Sequence, residues 1–106
     1  MGYVYLIEDE NNLTYKIGVT RSVDSNRIKK LQTGNSTKLK LKHLYKTEYP
    51  FRLETMLHQR FKQYNILNEW FELPTGIVED FENYCNELNG IIISLKDNPF
   101  FTKTLK

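Results

Sequence analysis

"YVYLIEDENNLTYKIGV", residues 3–19, sets two runs rich in β-branched and aromatic residues on either side of the acidic, asparagine-rich "DENN". Runs of this kind around a turn cluster read as a β-hairpin with a short loop. Beyond Gly18 the chain turns polar. Asp24 or Ser25 can cap a short helix whose apolar positions Ile28 and Leu31 lie three apart, ending before Gly34. A strand that ends at a glycine and feeds this helix would hold Arg27 over the sheet.

Further along, "TKLKLKHLYKTEY" alternates, with Leu39 and Leu41 on one face and Lys38, Lys40 and Lys42 on the other, as a half-buried strand closed by Pro50 would. "FRLETMLHQRFKQY" spaces Leu53, Leu57 and Phe61 by four residues and so reads as an amphipathic helix. Glu54 and His58 are also four apart and share its more polar face. "NEWFELPTG" reads as a short aromatic strand or turn, and "IVEDFENYCNEL" as a third helix stopped by Gly90. The expected fold class is α+β: a β-β-α-β-α core with an antiparallel three-stranded sheet flanked by helices, plus a C-terminal helix.

Composition bounds what such a chain can be. With 106 residues and 40% hydrophobic content, one core is the expectation, so residues 1–106 form a single domain, core 2–73 with a helical extension 74–106. The longest apolar runs, such as "GIIISL" at 90–95, fall far short of the roughly 20 residues that cross a bilayer. The amino terminus has no basic start and no cleavable apolar core. The expectation is a soluble intracellular protein, neither secreted nor in a membrane. Cys85 is the one cysteine and reads as a small buried apolar residue, with no partner for a disulfide. Charge is uneven: residues 1–74 carry 12 Lys/Arg against 8 Asp/Glu, and residues 75–106 carry 3 against 5. That balance allows a polyanion site in the first three-quarters of the chain.

"YVYLI", "YKIGVT", Arg27, "LETMLHQRF" and "EWFEL", in this order, resemble the GIY-YIG nuclease superfamily. They are most similar to its small branch in phages and large viruses, in which the second motif reads KIG and an E-x-x-L-H helix precedes EWF. The resemblance spans roughly residues 2–73, and several ordered motifs make it more specific than a lone glycine pattern. Val4-Tyr5 stands where the family has the I-Y of its first motif, with Tyr3 in the glycine's place. Lys16-Ile17-Gly18 stands for the second motif, and Gly18 and Trp70 are structural motif positions. The resemblance implies a metal-dependent endonuclease, a hydrolase of DNA phosphodiester bonds using Mg²⁺, with Mn²⁺ as a substitute. It implies no organic cofactor. Arg27 would bind the scissile phosphate and Glu54 would hold the metal.

Phosphodiester hydrolysis needs an activated water, a neutralised phosphate and a stabilised leaving oxygen, and a divalent ion supplies part of the last two. Mg²⁺ takes one or two carboxylates and keeps several waters, so Glu54 alone suffices as an anchor. Arg27 offers a permanently charged planar fork to phosphate oxygens. Tyr5 would activate or orient the water, although a tyrosine with its usual pKa near 10 is a poor base at neutral pH. Lys16 or the metal would favour the phenolate. His58 is open between a proton relay and a packing residue beside Trp70. Trp70, Phe71 and Phe61 read as core, and Glu69 as a cap or the partner of a lysine. Lys38, Lys40, Lys42 and Lys46, with Lys29 and Lys30, read either as phosphate contacts or as protection of a sheet edge, and the first is preferred.

DNA is therefore the expected partner. Cutting both strands with one active site per chain would use a homodimer or sequential nicking, and the sequence leaves both open. The alternative reading is a nucleic-acid-binding or interaction module that keeps the fold and has lost turnover.

Overall fold

The structure is a computed structural model, and it describes residues 2–21 and 39–95. The expected hairpin is its first feature. β1 (Gly2–Asp9) pairs antiparallel with β2 (Thr14–Thr20), with Tyr5 opposite Gly18 and Leu6 opposite Ile17. Asp9 builds the turn. Its Oδ1 accepts from the backbone N–H groups of Asn11 at 3.0 Å and Asn12 at 3.3 Å, and its Oδ2 from Asn12 Nδ2 at 2.9 Å. An aspartate folding back on its own turn in this way is why acidic and asparagine-rich loops reverse chains.

The helix expected at residues 24–34, with Arg27, Lys29 and Lys30, lies outside the described residues, as does Lys38. β3 (Leu39–Thr47) then pairs antiparallel with β1 on its other side. A bulge at Lys42 interrupts the register, since Leu6 faces His43 and Ile7 faces Leu41. The alternation therefore changes phase. Lys40 lies opposite Glu8, whereas Lys46 lies opposite Tyr3 on the other face, so the expected lysine row does not continue to Lys46.

Pro50 does not close the strand, which ends at Thr47; it opens helix α1 (Pro50–Arg60) from its first turn, where a missing N–H costs nothing. A single 3₁₀ turn (Lys62–Tyr64) leads to two further short strands, β4 (Asn65–Leu67) and β5 (Trp70–Phe71). Among the described residues the sheet thus has five antiparallel strands in the order β3-β1-β2-β5-β4, two more than the expected three. The aromatic stretch "EWF" joins the sheet because Trp70 and Phe71 pair with Lys16 and Tyr15.

The expected third helix is two. α2 (Thr75–Glu79) and α3 (Phe81–Leu95) are separated by Asp80, whose carbonyl accepts from Asn83 and Tyr84 and whose carboxylate accepts from Asn83 Nδ2 at 2.6 Å. Gly90 does not stop α3, which runs on to Leu95. Leu88 and Ile92 are buried on either side of it, and tertiary packing outweighs the roughly 1 kcal/mol a mid-helix glycine costs.

Two apolar clusters sit on opposite faces of the sheet. The larger joins Val4, Leu6 and Ile17 to Leu53, Leu57 and Phe61 of α1 and to Phe81, Cys85, Leu88 and Ile92 of α3. The smaller joins Tyr5, Ile7 and Leu39, with Leu44 and Trp70 against them. Trp70 thus belongs to the face opposite Phe71 and Phe61. Cys85 is fully buried, and that burial pushes its thiol up to about 12. No described helix is long and apolar enough to cross a membrane.

Candidate active site

The site forms where β2 loses its outer strand partner. β5 pairs with β2 only at Tyr15 and Lys16. The next peptide unit, Ile17, is held from both sides: its N–H donates to the backbone carbonyl of Glu69 at 3.1 Å, and its carbonyl lies 3.1 Å from His58 Nε2. The His58 ring also meets the Phe71 ring edge-on, with centroids 5.0 Å apart. His58 packs beside Phe71, then, and not beside Trp70. The partner it caps is a strand-edge carbonyl that would otherwise be lost to the sheet ladder. A hollow of about 200 Å³ opens next to it, lined by Lys62, Asn65 and Asn68 among others.

Helix α1 buries Leu53 and Leu57 against the sheet, which turns Glu54 and His58 together toward the β2 edge. Glu54 is half-buried there. Burial raises its carboxyl pKa above the usual value, and the nearby Glu69 charge adds to this, whereas His58 and Lys16 pull the other way. The Lys16 ammonium is 3.5 Å from Glu69 Oε2. Glu54, Lys16, His58 and Glu69 therefore form one electrostatic group.

Tyr5 stands on the same face of the sheet as Lys16 and Gly18, with Gly18 directly opposite. Its ring lies over that glycine: a Cβ built there would fall 2.5 Å from Tyr5 Cζ and 2.9 Å from Cε1. No side chain fits. The close approach that the glycine permits is thus made by the phenol, and Lys16 is the next residue on that face, roughly 6.6 Å along the strand. Tyr5 is only 1% exposed.

Lys40 and Lys42 lie elsewhere, on β3, two strands away from β2. Lys42 pairs with Glu8 at 3.8 Å. They line no part of the Glu54 cluster; an open groove of about 1060 Å³ has Lys42 on its wall, but with Glu8, Glu72 and Glu79 there too its charge is the wrong sign for phosphates. This groove leaves no local signal in the sequence, because its walls come from five separate segments.

A divalent cation fits the donor set in one form only. Among the described residues no three His, Cys, Asp or Glu side chains converge as a metal cage. A half-buried carboxylate with its charge disfavoured is, however, what a hydrated Mg²⁺ would relieve, and Mg²⁺ accepts a single protein carboxylate.

The T5orf172 domain model matches residues 2–88, most of the chain. The chain belongs to this family. The T5orf172 domain is a phage-type domain associated with GIY-YIG and HNH-like nucleases. The match runs past residue 73 into α3, so part of the expected extension is T5orf172 domain too. No curated protein and no solved structure matches the chain.

Proposed function

We propose that this T5orf172 domain is a metal-dependent DNA endonuclease that works by a GIY-YIG mechanism. The observation that carries the reading is the position of Glu54: a half-buried carboxylate on α1 in the electrostatic field of His58, Glu69 and Lys16, the last of which shares a sheet face with the Tyr5–Gly18 pair. Glu54 would hold Mg²⁺ or Mn²⁺, which when bound supplies charge neutralisation at the phosphate and the leaving oxygen. Tyr5 orients or deprotonates the attacking water. Lys16 shares its face of the sheet. Arg27 holds the scissile phosphate through its planar fork. His58 assists chiefly by fixing Ile17, and with it the flanking Lys16 and Gly18. DNA is the substrate, and cleavage of both strands would use a second copy or a second encounter.

The near-complete burial of Tyr5 favours one competing reading, a nucleic-acid-binding module without turnover. Incubation of supercoiled plasmid and single-stranded DNA with wild type and Glu54→Ala, in Mg²⁺, Mn²⁺ or EDTA, separates the two. Metal-dependent cleavage that is lost in the variant is expected. Unchanged plasmid in every condition, with binding that persists in EDTA and weakens steeply with salt, would establish the binding module instead.

A further inference from the structure

Glu69 is a half-exposed turn residue whose carboxylate is turned toward β2. It follows Asn68 at the tip of the β4–β5 hairpin, and Asn68 adopts the left-handed conformation, φ 52°, that asparagine tolerates. Asn65 pins this tip by donating from Nδ2 to the carbonyls of Asn68 at 2.9 Å and Trp70 at 3.1 Å. Glu69 between them then reaches β2 twice, through its carbonyl to Ile17 N–H and through its carboxylate to Lys16. Its backbone is fixed on both sides, so the direction of its side chain is set by the hairpin.

A carboxylate at this place is costly for a protein that binds a polyanion, because it repels phosphate. The compensation lies with Lys16. That ammonium sits on a flexible four-carbon stem, and it lies in the field of two acids, Glu54 and Glu69. Only one can hold it in a close pair. Were it drawn to Glu54, the carboxylate would be neutralised by the protein itself and would have less to offer a cation.

We propose that Glu69 is a positioning residue: it engages Lys16 and so keeps that ammonium off Glu54, which is left free to take a divalent cation. The inference rests on the reading of Glu54 as the metal carboxylate. It assigns Glu69 no contact with substrate or metal.

The test is a double-mutant cycle on the affinity for Mn²⁺ alone, without DNA, in wild type, Glu69→Ala, Lys16→Met and the double variant. Glu69→Gln runs alongside in case the alanine variant misfolds, with thermal melts as the control. Glu69→Ala is expected to weaken Mn²⁺ binding several-fold when Lys16 is present and to change it little when Lys16 is methionine. Equal losses in both backgrounds would mean that Glu69 acts only through its own negative field, and the inference would be wrong. Full Mn²⁺ affinity in Glu69→Ala and Glu69→Gln would sink it as well. Failure of the parent reading looks different: wild type binds no Mn²⁺, or Glu54→Ala binds it as wild type does, and both ideas then fall together.

Discussion

At the scale of single residues, the molecule turns on two that the sequence singled out for other reasons. Gly18 reads from the sequence as the motif glycine at which the strand ends; the strand instead runs on to Thr20, and the space beside the glycine is taken by Tyr5. Gly18→Ala should therefore destabilise the fold by about 1–3 kcal/mol, the usual cost of overpacking a filled site. Tyr5→Leu in the same chain should recover part of that loss, and equal unfolding midpoints for Gly18→Ala and wild type would show that the ring moves aside freely. Glu54 carries the opposite conflict between stability and use. Its folded-state pKa is raised, so its ionised form opposes folding: the penalty is absent below the ordinary carboxylate value of 4.5 and grows as pH rises through the folded value. In EDTA, Glu54→Gln should melt above wild type at pH 7 by an amount worth about 1 kcal/mol or less, because solvent screens a half-exposed group. The gap should close by about pH 4. A variant that melts below wild type at pH 7 would mean that Lys16 and His58 hold the carboxylate more strongly than burial opposes it.

At the scale of elements, what could be read followed periodicity, and what could not followed packing. The hairpin of residues 3–19 and the α1 helix were legible because alternation and four-residue spacing are local signals. The bulge at Lys42 was not, because nothing in "LKLKH" marks an inserted residue; the phase change comes from pairing with β1. Nor was the passage of α3 through Gly90, where the local propensity says stop and the buried Leu88 and Ile92 say continue. That glycine has open space around it, with nothing within 4 Å of a built Cβ, and it is not in a left-handed conformation. Gly90→Ala should consequently stabilise the protein by about 0.5–1 kcal/mol, seen as a higher midpoint in chemical denaturation with an unchanged slope. A loss of stability would show that α3 needs the glycine's freedom at this turn.

At the scale of the whole molecule, the candidate site was legible as a set of residue types and illegible as a place. Glu54, His58 and Lys16 could be named from motifs, but only the register of β2 against β5 brings Lys16 to Glu69, and only the missing strand partner at Ile17 gives His58 its anchor. The same holds for the extent of the domain. A core confined to residues 2–73 would, among the described residues, leave the helix side of the sheet to α1, yet α3 places Phe81, Cys85, Leu88 and Ile92 in the same cluster as Leu53 and Leu57. It is also tied to β3 by Tyr45 to Asn86 at 2.7 Å and Thr47 to Asn89 at 2.6 Å. Each large apolar side chain buried there contributes about 1.5–3 kcal/mol relative to exposure, and a domain has only about 5–15 kcal/mol in hand. A chain cut after Leu73 should therefore lose its cooperative thermal transition and bind hydrophobic dyes, whereas a chain cut after Leu95 should keep the transition. If the shorter chain still melted in one sharp step, α3 would be an attachment to the core, and the packing of its buried face would add little to the stability of the site.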